Sequence, residues 1–374
     1  MSTRSAEGRA AGRASVSAQR GNSQPAFGGG QVPPGRSGPT YRGGRPRPRW
    51  GRIFLVSGVV LLVLALIGAG GAYTYYQNLN NDVRRTDAFA GITGGRPAKT
   101  VDGALNILML GSDSRDPENA DKPGNARTDT LIVAHIPASH DKAYLISMPR
   151  DLYVPIPKDP KSGQGGGKAK INAAFAWGGI PLVVRTVEGY TGLRLDHVVL
   201  IDFGGFTSVV DALGGVDLNI EQDVKSIHQP FRQFKKGVMH LDGAAALDYA
   251  RQRKQFPEGD FARMRHQQEL MKAIMDKAVS GGTLSNPMKL NSFLKAATKA
   301  VTVDQDLSPV DLALQFRNIR SQDLTFSVSP HQGSKIINGE DVVVPDETKA
   351  KGLYEAIKND KAGEWFAANP PPAK

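Results

Sequence analysis

Apolar residues are distributed unevenly along the chain, and the first 104 positions contain three different patterns. Residues 1–52 are rich in Gly, Ser, Pro and Arg and have almost nothing to bury, which predicts a disordered tail. Residues 53–76 form a run of about 24 positions without a charge, long enough to cross a bilayer as a helix. Residues 77–104 are polar and show no sustained period, which predicts a stalk outside the membrane.

The flanks of the apolar run predict its orientation. Arg47, Arg49 and Arg52 directly precede it, and Trp50 and Tyr76 lie at its two ends, where aromatic residues favour the membrane interface. A cleaved signal peptide would have a shorter apolar core much nearer the N-terminus. We therefore predict a single-pass signal anchor in the cell membrane, with the tail in the cytoplasm and the remainder extracytoplasmic.

From residue 105 onward, strand-like runs alternate with helical periods. Strands are predicted at 105–110, 130–137 and 142–151, and in DHVVLIDF, VDLNI, LTFSVSP and VVVP. Helices are predicted in INAAFAWGGIPLVVRTVEGYTG with a break near Gly178 to Pro181, in GGFTSVVDALGG, from Asp260, near 286–300 and 308–319, and in DETKAKGLYEAIKND. This alternation over 105–360 predicts one α/β domain with a largely covered central sheet, and 361–374 should be a flexible tail.

Residues 248–270 combine basic side chains with helical spacing. Arg251 and Arg253 point to the same side if the segment is extended. In a helix starting near Asp260, that residue, Arg263 and Gln267 fall on one stripe, and the rest of the helix is apolar. The pattern predicts an anion site beside a hydrophobic interior. The alternative is a solvated basic face with surface ion pairs.

The net charge of +11 belongs mainly to the tail. Residues 1–52 contain ten arginines, no lysine and one glutamate, a net charge of +9, so the domain is close to neutral. Such a local excess fits the cytoplasmic flank of an anchor, and we predict no nucleic-acid partner. The chain has no cysteine, which excludes disulfides, zinc–thiolate sites and thiol nucleophiles.

Familiar catalytic motifs are missing from the sequence. It contains neither a G-x-S-x-G elbow nor an H-E-x-x-H metal motif, and its seven histidines are scattered. SGQGGGKAK resembles a phosphate loop, but Ser162 occupies the first glycine position and no Ser or Thr follows Lys168. We therefore predict a flexible loop there rather than a nucleotide site.

Charged residues do occur at the ends of predicted strands, where ligands of open α/β sheets collect. Asp113 ends the first strand, Asp129 precedes the second, Arg150 and Asp151 end the third, and Lys170 opens the following helix. Two carboxylates can hold Mg²⁺ whose shell is completed by phosphate oxygens, and arginine forks match those oxygens. Together they predict a polyanion site with magnesium. Singly, each residue also has an ordinary explanation as a turn cap or ion-pair partner.

In this order, the motifs resemble the LytR-CpsA-Psr (LCP) family of bacterial cell-envelope proteins. The matching segments are NILMLGSDSR, ARTDTLIVA, LISMPRDLYVPIP, KINAAFAWGG, VEGYTGLRLDHVVLIDFGGFTSVVDALGGVDLNI, LDGAAALDYARQR and GDFARMRHQQ, over about residues 105–270. The resemblance implies an extracytoplasmic catalytic domain with a central mixed sheet covered by helices and an apolar tunnel for a lipid. The Arg- and Gly-rich composition suggests an actinobacterial source.

The resemblance also implies roles for individual residues. Asp113 and Asp129 match magnesium carboxylates, with Mn²⁺ as the other candidate ion. The residues that match the pyrophosphate-binding set are Arg150, Arg251, Arg253, Arg263 and Gln267, with Arg127 and Lys170 as neighbours. The candidates for the tunnel, each with a place in the core as the alternative, are Phe175, Val183, Val184, Phe203, Phe206 and Val210.

The implied activity is phosphoryl transfer in cell-wall assembly. A glycopolymer such as teichoic acid, capsule or arabinogalactan would move from a polyprenyl-pyrophosphate carrier to peptidoglycan, forming a phosphodiester. Mg²⁺ and the arginines would neutralise the pyrophosphate, and Asp129 or Asp151 would accept the proton of the attacking hydroxyl. Two alternatives stay open: a membrane-bound regulator that attenuates transcription, and a lipid-binding scaffold without turnover.

Overall fold

A computed structural model of the protein describes residues 64–65, 70–92, 94–112, 128–280, 282–283 and 286–371. The chain divides into residues 1–61 and 62–374, and every described residue belongs to the second unit. The predicted tail, 1–52, and most of the predicted span, 53–76, lie outside the described residues. Among the helices that are described, none is both long and apolar enough to cross a membrane.

A seven-stranded sheet forms the centre of the fold. Its strands, in spatial order, are β1 (Arg84–Thr86), β12 (Val301–Asp304), β7 (His197–Asp202), β2 (Leu105–Ser112), β3 (Thr128–Ile136), β4 (Ala143–Met148) and β13 (Leu324–Val328). β2 is parallel to β7 and antiparallel to β3, which is antiparallel to β4. Every residue of β4 is buried, as expected for a strand covered on both faces. The predicted central mixed sheet is confirmed.

Helices cover both faces of this sheet. They are α1 (70–81), α2 (Ala173–Thr191), α3 (Phe203–Ala212), α4 (Gly243–Ala250), α5 (Asp260–Ser280), α6 (Pro287–Ala300), α7 (Pro309–Gln315), α8 (Glu347–Lys358) and α9 (Ala362–Ala368). Leu108 of β2 packs in a core cluster with Val183 of α2, whereas the next residue, Met109, packs in another cluster with Met271 of α5. Because successive strand side chains point to opposite faces, α2 and α5 lie on opposite sides of the sheet.

The described residues also form four two-stranded sheets. They are β5 (Tyr153–Ile156) with β6 (Gly167–Lys170), β8 (Val216–Ile220) with β11 (Gly237–Leu241), β9 (Val224–Lys225) with β10 (Gln233–Phe234), and β14 (His331–Ile337) with β15 (Glu340–Pro345). β8 to β11 pack with α3, α4 and α5 around a core cluster that includes Val210 and Tyr249. This cluster holds α4 against α5 and so fixes the positions of the residues at their ends.

The predicted break in the helix around Gly178 to Pro181 is present. α2 runs from Ala173 to Thr191, but Gly179 inside it has φ 63° and ψ −158°. Only glycine adopts that conformation readily, and Pro181 cannot donate a helical hydrogen bond. The two segments of α2 therefore meet at a kink.

The predicted stalk, 77–104, is instead part of the fold. Val83 and Ala88 are buried, and Arg84–Thr86 adds to the edge of the sheet as β1, parallel to β12. A strand of three residues has no detectable period, and its partner strand begins only at Val301. The sequence pattern in this stretch therefore could not reveal the pairing.

The predicted flexible tail, 361–374, is likewise ordered over its described part. Ala362–Ala368 forms α9, and Ala362 and Phe366 are buried. The ring of Phe366 stacks on Tyr144 of β4, with ring centroids 5.4 Å apart. Docking against the sheet, rather than helix propensity, holds this short helix in place.

Candidate active site

Strand register brings Arg150 and Asp129 together. β3 and β4 are antiparallel, with Leu131 opposite Met148. Continuing that register towards the end of β4 places Asp129 opposite Arg150. The Arg150 Nη1 donates a charge-assisted hydrogen bond to Asp129 Oδ1 at 2.6 Å. The sequence pattern predicted that Asp129 precedes this strand. The structure places it within β3 instead.

The first turn of α5 adds a second ion pair to the first. Asp260 and Arg263 are three positions apart and share one helix face, and Arg263 Nη2 lies 3.0 Å from Asp260 Oδ1. The same nitrogen donates to the main-chain oxygen of Asp129 at 3.0 Å. Asp260 Oδ1 is also 3.6 Å from Arg150 Nε and 3.7 Å from Arg253 Nη1. Asp260 thus links three arginines.

Burial disfavours the charged forms of the residues in this cluster. Arg263 is 4% exposed, and desolvation lowers its pKa even though Asp260 and Asp129 oppose that shift. Desolvation likewise raises the pKa of Asp260 against the attraction of Arg263 and Arg150. Desolvation acts on Arg150 too, but the hydrogen bond and charge of Asp129 outweigh it and leave the pKa of Arg150 raised. Because guanidinium groups stay protonated, the site keeps buried positive charge.

Three buried polar atoms of the cluster make no hydrogen bond to any described residue. Two are donors, Arg150 Nε and Arg263 Nε, and the third is an acceptor, Asp260 Oδ1, which lies within ion-pair distance of Arg263 Nη2. Unpaired buried donors are uncommon and destabilising, by about 1–3 kcal/mol each. The oxygens of a bound anion can satisfy guanidinium N–H groups, so the arrangement fits an anionic ligand.

A polar cavity of about 280 Å³ adjoins an apolar cavity of about 130 Å³. The polar cavity is lined by Gly111, Asp129, Thr130, Arg150, Phe203, Ile227, His228, Arg251, Arg253, Lys254, Arg263 and Gln267. Gly111, Thr130, Phe203, Arg251 and Gln267 also line the apolar cavity. The remaining lining of the apolar cavity includes Met109, Ile132, Ile201, Phe206, Leu247, Leu270 and Met271. Charge and hydrocarbon surface therefore meet at one boundary.

Packing at this boundary is close. The Arg251 guanidinium lies over the Phe203 ring, 4.6 Å from its centroid, so its charge stays at the apolar margin. Gln267 is one turn beyond Arg263 on α5 and faces both cavities. A Cβ on Gly111 would come within 2.8 Å of the Thr130 Cβ, so a larger residue could not fit between the cavities without movement.

Most of the polar residues predicted from the sequence reach this cavity. Asp129, Arg150, Arg251, Arg253, Arg263 and Gln267 all line it. Asp151 does not line it, but its Oδ2 lies 3.5 Å from Arg150 Nε. Lys170 ends β6 instead of opening a helix, pairs with Glu340 at 3.4 Å and does not line the polar cavity. Asp113 and Arg127 lie outside the described residues.

The apolar residues predicted for a tunnel separate into two groups. Phe203 and Phe206, on α3, line the apolar cavity. The side chains that pack elsewhere, with no exposed surface, are Phe175, Val183 and Val184 of α2 and Val210 of α3. The α2 residues lie across the sheet from the cavity, so the structure corrects these predictions to the core alternative.

Sequence reasoning gave no role to three charged or titratable residues of the site. Asp260 was recognised on the helical stripe, but its contacts with Arg150 and Arg253 depend on tertiary packing. His228 and Lys254 line the polar cavity from loops that match none of the patterns considered. His228 lies three residues beyond the end of the short strand β9, which gives no local signal of a site.

Known proteins resemble this chain in sequence. The chain is 34% identical over 272 residues to Bacillus subtilis TagV, named a polyisoprenyl-teichoic acid–peptidoglycan teichoic acid transferase, covering 71% of this chain and 66% of TagV. It is 31% identical over 342 residues to Corynebacterium glutamicum LcpB, named "Probable cell wall biosynthesis protein", covering 88% of this chain and 78% of LcpB.

Solved structures resemble this chain in fold. The crystal structure of B. subtilis TagV superposes with a TM-score of 0.59 at 28% identity, covering 70% of this chain and 98% of that one. A structure of TagT bound to LI-WTA gives a TM-score of 0.56 at 26% identity, with 71% and 96% covered. The family described as LytR_cpsA_psr matches residues 72–359, most of the chain. The protein therefore belongs to the LytR-CpsA-Psr family.

Proposed function

We propose that the protein transfers a glycopolymer from a polyprenyl-pyrophosphate carrier to peptidoglycan, forming a phosphodiester bond. The observation that carries this proposal is the arginine-lined cavity directly beside an apolar one. A lipid pyrophosphate has the same two parts in the same order, a polyanion and a hydrocarbon chain. The name of TagV as a teichoic acid transferase and the complex of TagT with LI-WTA support the same reaction class.

The arginines stabilise the negative charge of the pyrophosphate and of the departing polyprenyl phosphate. Their planar forks bind the pyrophosphate oxygens in pairs. As the bond between the glycopolymer-bearing phosphorus and the bridging oxygen breaks, negative charge grows on the departing polyprenyl phosphate. Arg150 and Arg263 are already held by Asp129 and Asp260, so they stabilise that charge without reorganising.

The apolar cavity receives the part of the lipid next to the pyrophosphate. Its volume of about 130 Å³ is similar to that of a cavity of about 150 Å³ that binds benzene in another protein, so it fits about one isoprene unit. A longer segment of the chain requires side chains such as Phe206 and Met271 to move. The Arg251–Phe203 contact lies where the charged group would meet the hydrocarbon.

A magnesium or manganese ion fits the donor set only in part within the described residues. No group of three acidic or histidine side chains there could hold a metal ion. Mg²⁺, however, commonly takes one or two carboxylates and completes its shell with water and phosphate oxygens. Asp129 lines the cavity, and with Asp113 it would hold the ion. The ion would supply positive charge to the pyrophosphate.

Turnover by the purified full chain tests this function. The reaction contains a synthetic polyprenyl-pyrophosphate-linked glycan, peptidoglycan fragments and Mg²⁺. We expect Arg150→Ala to lower kcat by roughly 10²–10³-fold, because it removes a preorganised donor. Lys170→Ala, which removes a cation outside the cavity, should leave kcat near the wild-type value. Equal product from wild type and Arg150→Ala would contradict the assignment.

The metal requirement is tested separately in the same assay. Asp113→Ala and a chelator should each abolish most of the turnover, and added Mg²⁺ should restore only the chelated wild type. Full turnover in the presence of chelator would remove the metal from the proposal and leave the arginine site standing.

A further inference from the structure

The loop between β9 and β10 forms one wall of the polar cavity. Ile227 and His228 of this loop line the cavity together with residues of β3 and α5 and with Arg150, which follows β4. Neither residue belongs to the arginine set. The loop therefore brings an imidazole to a cavity that otherwise contains guanidinium, ammonium and carboxylate groups.

A buried polar network fixes this loop to α4. The Ser226 hydroxyl donates to Asp248 Oδ1 at 2.6 Å, and Gln252 Nε2 donates to the same carboxylate oxygen at 2.8 Å. All three side chains are almost fully buried. The main-chain N–H of His228 then donates to Ser226 Oγ at 2.9 Å. Arg251 follows the last residue of α4 as its C-cap, so the network fixes the positions of His228 and Arg251 relative to the same helix.

Hydrogen bonds and an ion pair also hold the second half of the loop, at Phe231 and Arg232. The Phe231 N–H donates to the His228 carbonyl at 2.6 Å, and the Ser226 N–H donates to the Arg232 carbonyl at 2.8 Å. Arg232 Nη1 lies 3.4 Å from Asp248 Oδ2. The hydrogen bonds of His228 to other described residues use its main chain, so both ring nitrogens are available to a ligand.

Burial and the neighbouring cations favour the neutral form of the His228 ring. Burial lowers its pKa, and so do the charges of Arg251 and Arg253, while Asp248 opposes them. Lys254, in the same cavity, is a further cation. A neutral imidazole at physiological pH has a free lone pair, which the arginines lack at any pH.

We infer that His228 accepts the proton of the acceptor hydroxyl during transfer. This inference rests on the proposed function. The hydroxyl oxygen forms a bond to the glycopolymer-bearing phosphorus, the bond from that phosphorus to the bridging pyrophosphate oxygen breaks, and polyprenyl phosphate leaves with that electron pair. The O–H proton moves to a ring nitrogen of His228 and then to water. No oxidant or further reactant is needed.

The carboxylates considered from the sequence are less suited to this step. Asp129 Oδ1 already accepts from Arg150 at 2.6 Å, and its Oδ2 lies 3.8 Å from Arg263 Nη1. Both carboxylate oxygens of Asp129 therefore already face arginine side chains. Asp151 does not line the polar cavity. His228 combines access to the cavity with a lone pair that no described residue occupies.

The pH dependence of kcat tests the inference in the full chain. With the same synthetic donor, peptidoglycan fragments and Mg²⁺, we expect His228→Gln to lower kcat by roughly 10²-fold or more at neutral pH, with little change in the KM for the donor. The wild-type rate should fall at acid pH, below the ordinary histidine pKa, as His228 becomes protonated. That acid limb should be missing in His228→Gln. His240→Gln, at an exposed position of β11, is the matched control.

The outcomes separate the two claims. If His228→Gln keeps the wild-type kcat and acid limb, His228 is not the proton acceptor, while the transferase function stands. If the wild type forms no product although it is folded, the transferase function fails, and this assignment fails with it. A loss of kcat in His240→Gln equal to that in His228→Gln would also overturn the assignment.

A second readout does not depend on turnover. In the full chain with isotopically labelled histidine, inorganic pyrophosphate should raise the pKa of His228, because a nearby anion favours the protonated ring. His240 should not respond. If pyrophosphate binds, as a calorimetric titration would show, and the pKa of His228 does not change, its ring does not face the bound anion and the inference is overturned.

Discussion

At the residue scale, desolvation distinguishes a site arginine from a surface arginine. Arg263 and Arg265 are separated by one residue on α5. Arg263 is buried against Asp260, whereas Arg265 is partly exposed and pairs with Glu221 at 2.6 Å. The two look alike in the sequence, because both belong to the basic run FARMRHQQ. Only the packing of α5 against the sheet decides which one meets a ligand.

The next residue of α5, His266, has a fully buried side chain. Its ring lies between those of Tyr249 and Phe256, with centroids 4.5 and 4.6 Å away. Burial lowers the pKa of His266 to about 4. The unfolded chain therefore binds a proton more readily than the folded one, with a pKa near the ordinary 6.5. Folding stability is fully present above that value and decreases as the pH falls.

We expect this histidine to cost the fold about 3 kcal/mol of unfolding free energy as the pH falls from about 6.5 to about 4. In His266→Leu, the decrease over that range should be smaller by a similar amount. Urea denaturation of the full chain at each pH measures it, with exposed His240→Gln as the control. Equal decreases in wild type and His266→Leu would contradict this account.

At the element scale, the kink in α2 is the feature that depends most on one residue. Gly179, at φ 63° and ψ −158°, occupies a region that is essentially limited to glycine. Gly189, in the same helix, is exposed, and a Cβ there would meet nothing within 4 Å. The two positions provide a matched pair for separating backbone strain from helix propensity.

We expect Gly179→Ala to lower the unfolding free energy by about 1–3 kcal/mol, because alanine must adopt a strained backbone. Gly189→Ala should raise it by about 0.5–1 kcal/mol through better helix propensity. Chemical denaturation of both variants measures the difference. A neutral Gly179→Ala would show that α2 can straighten without loss.

The same scale shows which elements the sequence could predict. The strands of the sheet centre and the break in α2 follow from long apolar runs and from Gly and Pro positions. β1 and α9 are short and carry no periodic signal, and each is held by a partner distant in sequence. A local sequence pattern cannot predict an element, such as β1 or α9, that is held by a partner distant in the sequence.

At the scale of the whole molecule, the site is assembled from β3, the end of β4, the end of α4 and the start of α5. The sequence predicted the identity of most of these residues, because family motifs carry them. It could not give the link through Asp260, the loop bearing His228 or the separation of cavity lining from core. Each of these depends on tertiary packing between segments that are distant in the sequence.

We also propose that residues 53–76 anchor the chain, with the N-terminus in the cytoplasm and the domain outside. Because the chain has no cysteine, each introduced thiol is a unique probe. In intact cells, a membrane-impermeant thiol reagent should label Ile336→Cys, an exposed position on β14, and should label Ser5→Cys only after lysis. Labelling of Ser5→Cys in intact cells would overturn this topology.

The edge strand β1 has a consequence for how the domain is completed. Arg84 lies opposite Thr302, and Leu324 of β13 lies opposite Ala143, so both outer strands of the sheet depend on contacts between distant parts of the chain. Such contacts are slow to form, because long loops must close first. During synthesis, a chain that extends only to residue 300 lacks β12, which pairs with β1 and β7, and β13, which pairs with β4. Those three strands then have unpaired edges, which are prone to aggregation. The last fifth of the sequence contributes little to the anion site, yet the sheet that supports the site has unpaired edges until that part of the chain has folded.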